Sequence, residues 1–251
     1  MARLRGLAYN GDEYEFTNAD RDGIIFRDNK VYPHSLLRVN YTTYDLRREQ
    51  DTINPLTRAD IIVLSEEDER TYPYWYARVI QIFHVMVEYR KDQSSPFSQP
   101  KRMDVLFVRW FQRDSNFSAG WDAKRLFQLQ FFEQEHLADA FGFIDPESVI
   151  RGVHLVPAFT YDQTNQYLGP SFVHLNRDDS GWNEDWRFYY VNMYEVYLFQ
   201  LRCNSTGGQG LSTETCLCGF EAVEWATSRP GTGTKFFSRK GVRYDRTQTW
   251  T

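Results

Sequence analysis

Tyr74-Trp75-Tyr76-Ala77-Arg78-Val79-Ile80-Gln81-Ile82-Phe83-His84-Val85 and Asp104-Val105-Leu106-Phe107-Val108-Arg109-Trp110-Phe111 are two runs of β-branched and aromatic residues. Residues 91–101 between them are polar and rich in Ser, Gln and Pro. Strand, breaker cluster, strand is the pattern of a long β-hairpin. Its aromatics outnumber what one buried face takes. Some are therefore expected at the surface, where aromatics on a rigid sheet mark recognition more often than catalysis.

Outward from this hairpin the signals are again short strands between turn residues. Residues 24–26, the turn pair Asp28-Asn29 and residues 30–32 read as a short hairpin. Residues 36–44 are a further strand, Asn54-Pro55 a break, and Ile61-Ile62-Val63-Leu64 a short buried strand. The acidic run 65–70 is a solvated turn. Downstream, 126–132, 153–159 and 187–193 have strand content, while 141–152 reads as a turn at Asp145-Pro146, then one helical turn and a stop at Gly152. Helical periodicity is absent. The expected fold is mainly β, a small distorted and partly closed barrel with a flanking hairpin and irregular loops. Expected core positions are Val79, Ile80, Ile82, Val105, Phe107, Val149 and Val153. By region, 1–22 is a loose arm, 23–59 a hairpin and loop packed on the barrel, and 60–194 the barrel. The stretch 23–59 is too short for a core of its own.

With 251 residues, 41% hydrophobic and 17% aromatic, the chain buries a substantial core. A formal charge of -5 argues against a general polyanion-binding surface. The first residues turn polar too soon for a signal peptide, and no run is long enough for a membrane span, so an intracellular protein is expected. Beyond Tyr194 the composition changes: seven of the 15 glycines and all three cysteines lie there, and the charge reverses to +2 against -7 for residues 1–193. Residues 195–251 read as a tail, either disordered or foreign to the fold.

No catalytic arrangement stands out. Cys203, Cys216 and Cys218 lack the paired Cys-x-x-Cys knuckles of structural zinc. The histidines at 34, 84, 136, 154 and 174 form no ligand-spaced pair, and the carboxylates at 104, 114, 122, 139 and 145 have loop-like spacing. Phosphate loops and hydrolase motifs are absent. A non-catalytic protein with no cofactor and no metal is expected. The aromatics differ. Trp75 and Trp110 stand near the start of one strand and the end of the next, so an antiparallel hairpin brings them to one end of the sheet. There they are either core or two walls of a cage for a methylammonium. Tyr74, Tyr76 and Asn116 are the further candidates for that cage.

Residues 60 to about 194 resemble a bromo-adjacent homology (BAH) domain. The resemblance rests on Ile62-Val63-Leu64, Pro73-Tyr74-Trp75-Tyr76-Ala77-Arg78-Val79-Ile80, Val108-Arg109-Trp110-Phe111-Gln112-Arg113 and Ile144-Asp145-Pro146-Glu147-Ser148-Val149-Ile150-Arg151-Gly152. It implies a distorted β-barrel that reads chromatin, with Trp75 and Trp110 at cage positions. The chain departs from that pattern in its long 91–101 loop and its extra 114–140 segment. Residues 14–194, through Arg38-Val39-Asn40-Tyr41-Thr42-Thr43-Tyr44-Asp45-Leu46-Arg47-Arg48, Ala158-Phe159 and Glu184-Asp185-Trp186, are more specifically similar to the C-terminal part of proteins encoded by fungal DNA transposons of the Plavaka and KDZ types. In that family the strand after Tyr194 continues differently. A frame shift from an intron retained between about 195 and 210 would account for the tail. The resemblances imply a nuclear, transposon-derived module that contacts a histone tail or another protein. The competing expectations are an assembly module of a transposase with no ligand of its own, and a nucleic-acid-binding barrel using Arg78, Arg109, Arg113, Lys124 and Arg125 for phosphates.

Overall fold

The computed structural model describes residues 17–42, 47–64, 74–90, 94–120, 123–168, 171, 173 and 185–192, together with the strands Glu224–Ala226 and Thr234–Lys235. The cysteines and the rest of the expected tail lie outside the described residues. The two aromatic runs form the two longest strands, β5 (Tyr74–Tyr89) and β6 (Lys101–Arg113). Around them stand β1 (Ile24–His34), β2 (Leu36–Thr42), β3 (Arg48–Ile53), β4 (Asp60–Leu64), β7 (Gln128–Phe131), β8 (Phe141–Ile144), β9 (Val149–Gly152) and β10 (Leu155–Pro157). The remaining strands are β11 (Gln163–Thr164), β12 (Asp185–Trp186), β13 (Tyr189–Val191), β14 (Glu224–Ala226) and β15 (Thr234–Lys235). The chain is mainly β, as its turn-punctuated sequence predicts. The main sheet runs β10-β13-β7-β6-β5-β1-β15, with β4 paired to β5 and β9, and β8 paired to β6.

The chain divides into two units, residues 1–32, 85–103 and 231–251, and residues 33–84 and 104–230. In the smaller unit, α1 (Asn18–Asp22) is one short helical turn inside the region expected to be a loose arm. Thr17 and Asp20 cap it reciprocally: the Thr17 amide donates to Asp20 Oδ2 at 2.9 Å, and the Asp20 amide donates to Thr17 Oγ1 at 3.2 Å. Asp28 and Asn29 have φ of 58° and 49° within β1. These are the left-handed values that Asp and Asn tolerate best. Both residues of the expected turn thus have the φ that a type I′ hairpin turn requires, within an extended run that spans Ile24–His34. In the 91–101 loop, the Ser98 amide donates to the Tyr89 carbonyl at 2.7 Å, and the Arg90 guanidinium lies 5.0 Å from the Phe97 ring centre.

In the larger unit the sheet curls strongly into a half-barrel. Side chains alternate along a strand, so a sheet covered on both sides needs an apolar set on each face. Here it has both. Ile62, Tyr74, Tyr76, Phe111, Leu129, Phe131, Ile150, Leu155, Tyr167, Tyr189 and Val191 form one buried cluster. Leu37, Val39, Ile53, Ile61, Val63, Ala77, Val79, Ile82, Leu106, Val108 and Val149 form the other. From Tyr74 to Val79 the split follows strand parity, with Tyr74 and Tyr76 on one side of β5 and Trp75, Ala77 and Val79 on the other, while Ile82 joins the second cluster out of that phase. The β2–β3 hairpin, in register from Leu37↔Ile53 to Thr42↔Arg48, supplies Leu37, Val39 and Ile53 to the second cluster. Among the expected core positions Val79, Ile82 and Val149 are buried, whereas Ile80, Val105, Phe107 and Val153 are half-buried, and Leu106 and Val108 take the core of β6.

Tyr167 belongs to the first cluster, and its hydroxyl donates to the Arg187 carbonyl at 2.8 Å. Burial holds its phenol up at about 12, against an ordinary value of 10.0. An unfolded chain ionises this group first. Its contribution to stability is therefore complete below pH 10.0 and falls away as pH rises toward about 12. The urea midpoint is expected to decline across this window, and Tyr167→Phe should make the decline shallower. An identical pH slope in the variant would contradict this assignment.

Candidate functional site

Trp75 and Trp110 do meet. Their ring centres are 5.8 Å apart with the planes at 79°, an edge-to-face pair. Both rings are half-buried against the second core cluster. Tyr74 and Tyr76 are buried across the sheet from them, at 6% and 2% exposure in the first cluster. Strand alternation explains the separation: residues 74 and 76 share one face of β5, and residue 75 takes the other. Asn116 is exposed in the turn after β6, where its amide donates to Asp114 Oδ1 at 2.9 Å. Its side chain belongs to a different element from the two tryptophans.

The phosphate-contact candidates also separate. Arg78 and Arg109 both face the first cluster. Arg78 Nε donates to Asp60 Oδ1 at 2.7 Å and Nη2 to Asp60 Oδ2 at 3.0 Å. Burial alone would lower its pKa, but the Asp60 carboxylate and Tyr189 hydroxyl hold it above the ordinary arginine value. Arg109 Nη1 and Nη2 donate to the two Asp185 oxygens at 3.1 and 2.8 Å, and both side chains are almost fully buried. Its guanidinium carbon sits 3.7 Å from the Phe131 ring centre, while that of Arg78 lies 5.3 Å from the same ring. Burial, aided by the nearby Arg78 charge, pulls the Arg109 pKa down against the opposing pull of Asp185. Two like charges thus lie beside one aromatic ring, each neutralised by its own acid. These arginines hold the fold from within. Arg113, Lys124 and Arg125 are exposed, with Lys124 at φ 51° and Arg125 lying 5.6 Å from the Phe117 ring centre.

A second aromatic group, two of whose members lie in the quoted runs, was not singled out in the sequence. Phe83 of β5, Phe107 of β6, and Phe141 and Phe143 of β8 form a chain of ring contacts: Phe107–Phe141 at 5.7 Å, Phe107–Phe143 at 5.0 Å and Phe83–Phe143 at 6.3 Å. Register explains it, because β8 pairs antiparallel to β6 with Phe107 opposite Phe143. Cross-strand aromatic pairs of this kind stabilise a sheet and line up along one face. Phe143 is nevertheless 61% exposed. Among the described residues β8 pairs with β6, and no described strand pairs with its other side. Residues 133–147, which carry β8, contain Glu133, Glu135, Asp139, Asp145 and Glu147 and no Lys or Arg.

Compared with family models, curated proteins and solved structures, the chain matches none. The site is therefore read from its own geometry. An open strand edge offers backbone donors and acceptors, an exposed phenylalanine offers apolar area, and the acidic flank favours positive charge. Among the described residues no helix is long and apolar enough to cross a membrane.

Proposed function

We propose that this chain is a non-catalytic interaction module, of the BAH-like and transposon-derived kind its motifs resemble, that docks an extended basic protein segment such as a histone tail. The observation that carries this reading is the 61% exposed Phe143 ring on β8, whose other side pairs with no described strand. A peptide adding a strand to β8 gains main-chain hydrogen bonds along the edge, while alternate side chains fall on the phenylalanines. Acidic residues on either side of β8 attract lysine and arginine in the incoming segment. The overall charge of -5 works in the same direction and against nucleic acid. The nucleic-acid reading is further weakened because Arg78 and Arg109 are engaged by Asp60 and Asp185. A nuclear location follows from the partner and belongs to the same proposal.

The test is binding of fluorescent histone-tail peptides to the purified chain. Phe143→Ser is expected to weaken binding about thirtyfold, the loss of an interface hot spot of about 2 kcal/mol. Its melting temperature should stay close to the parent value, since most of the ring already faces solvent. Affinity should also fall as salt is raised. Tight peptide binding that Phe143→Ser leaves untouched would refute the edge-docking reading. If no histone or other basic peptide binds at all, the assembly reading takes its place.

The tryptophan pair supports a second reading, a methylammonium held at Trp75 and Trp110. It is favoured by two partly buried rings standing at 79° to each other. Each good cation–π contact contributes roughly 0.5–2 kcal/mol. This site therefore predicts a preference for methylated over unmethylated peptide that Trp110→Ala removes. Edge docking on β8 predicts no such preference.

A further inference from the structure

The five histidines show no ligand spacing in the sequence, yet the fold brings two of them together. His34 closes β1, His84 lies on β5, and Asp104 lies on β6, three strands that are neighbours in the order β6-β5-β1. All three residues belong to the larger unit. His34 Nε2 and His84 Nδ1 are 2.8 Å apart, and the rings meet edge to edge with centres at 4.9 Å and planes at 27°. One ligand atom from each of the three residues lies within 4.8 Å of the others. His34 is buried, while His84 and Asp104 are half-buried, so the cluster sits at the boundary between core and solvent.

We propose that His34, His84 and Asp104 form a binding site for a divalent transition metal of the zinc class. Two imidazole nitrogens at 2.8 Å share one proton between their lone pairs. A metal ion takes the place of that proton. Tetrahedral coordination at about 2.0–2.1 Å to nitrogen sets donor atoms about 3.3 Å apart. The nitrogens need only a small opening, and the carboxylate only a small approach, to reach that geometry. Two imidazoles and one carboxylate are a donor set that suits zinc, nickel, copper or iron, and disfavours the oxygen-seeking calcium and magnesium. The Asp104 carboxylate offsets part of the ion's charge. Three protein ligands leave a position for water or for a donor from a partner. Because each ligand comes from a different strand, the ion would fasten β1, β5 and β6 across the sheet.

The experiment titrates the full chain with Zn2+ by calorimetry and with Co2+ by visible absorption. The expected result is one saturable site whose cobalt spectrum shows nitrogen and oxygen ligation with no thiolate charge-transfer band. A triple Cys203→Ser, Cys216→Ser and Cys218→Ser variant should bind as the parent does. His84→Gln and Asp104→Asn should each weaken zinc by at least about tenfold, and zinc should raise the melting temperature of the parent more than theirs. Absence of saturable binding, a thiolate band, loss of binding in the cysteine variant, or undiminished binding in both ligand variants would each overturn the site. Should the ligand variants fail to fold, the parent's cobalt spectrum and the cysteine variant still decide between support and refutation.

Discussion

Asp185→Asn is expected to destabilise the chain by about 3–5 kcal/mol, the range for removing one partner of a buried ion pair. Asp185 accepts both terminal nitrogens of Arg109, and both side chains are almost fully shielded from water. Without the carboxylate charge, the Arg109 guanidinium is left in the first core cluster facing Phe131 at 3.7 Å, with Arg78 also close to that ring. Contact with the Phe131 ring offsets only part of its desolvation. Replacing both partners by apolar residues, Arg109→Met with Asp185→Leu, should recover much of the loss, since an apolar pair removes the charge along with its partner. Urea unfolding of the two variants measures both effects. An Asp185→Asn midpoint equal to the parent's would show that the pair contributes nothing to the fold.

Phe131→Ala should cost a similar amount, about 3–5 kcal/mol. Phe131 has no exposure, stacks on Phe111 with centres 4.1 Å apart, and meets Tyr189 edge-on at 5.7 Å. The deletion leaves a cavity and also strips the aromatic face from Arg109 and Arg78. It should therefore cost at least as much as truncating an equally buried leucine such as Leu129, where transfer and cavity are the whole effect. Thermal and urea melts of Phe131→Ala beside Leu129→Ala test the comparison. A smaller loss in Phe131→Ala would mean that the arginines gain nothing from the ring.

Much of the architecture was legible because strands announce themselves locally. The two quoted runs became β5 and β6, and Ile61-Ile62-Val63-Leu64 fell within β4. The phase of β6 was not legible. A sheet covered on both faces has apolar residues at every position, so nothing polar marks which of Val105 or Leu106 turns to the second cluster. Several strands escaped notice, β9, β11, β12, β14 and β15 among them, and two show why. β3, Arg48–Ile53, is polar along most of its length and is defined by its pairing with β2. β8 was hidden in a segment read as a turn at Asp145-Pro146, and that turn in fact follows the strand as a short 3-10 helix, Pro146–Ser148.

The site was legible only in part, and the reason is sequence distance. That Trp75 and Trp110 meet follows from the hairpin alone, whereas the face taken by Tyr74 and Tyr76 follows from parity. Arginine is mostly a surface residue, so Arg78 and Arg109 read naturally as phosphate contacts. What draws them inside are acids 18 and 76 residues away in the chain. The phenylalanine group depends on the β6–β8 register, and the His34–His84 contact joins residues 50 apart. Neither distance is visible before the strands are paired.

The central claim is that β8 is a docking edge, and amide hydrogen exchange with and without a saturating basic peptide tests it most directly. Adding a strand to β8 would protect its outward-facing amides, so exchange within residues 141–144 should slow on binding while the buried centre of β5 stays as it was. Protection confined to the surroundings of Trp75 and Trp110, with residues 141–144 exchanging at the unbound rate, would contradict the account.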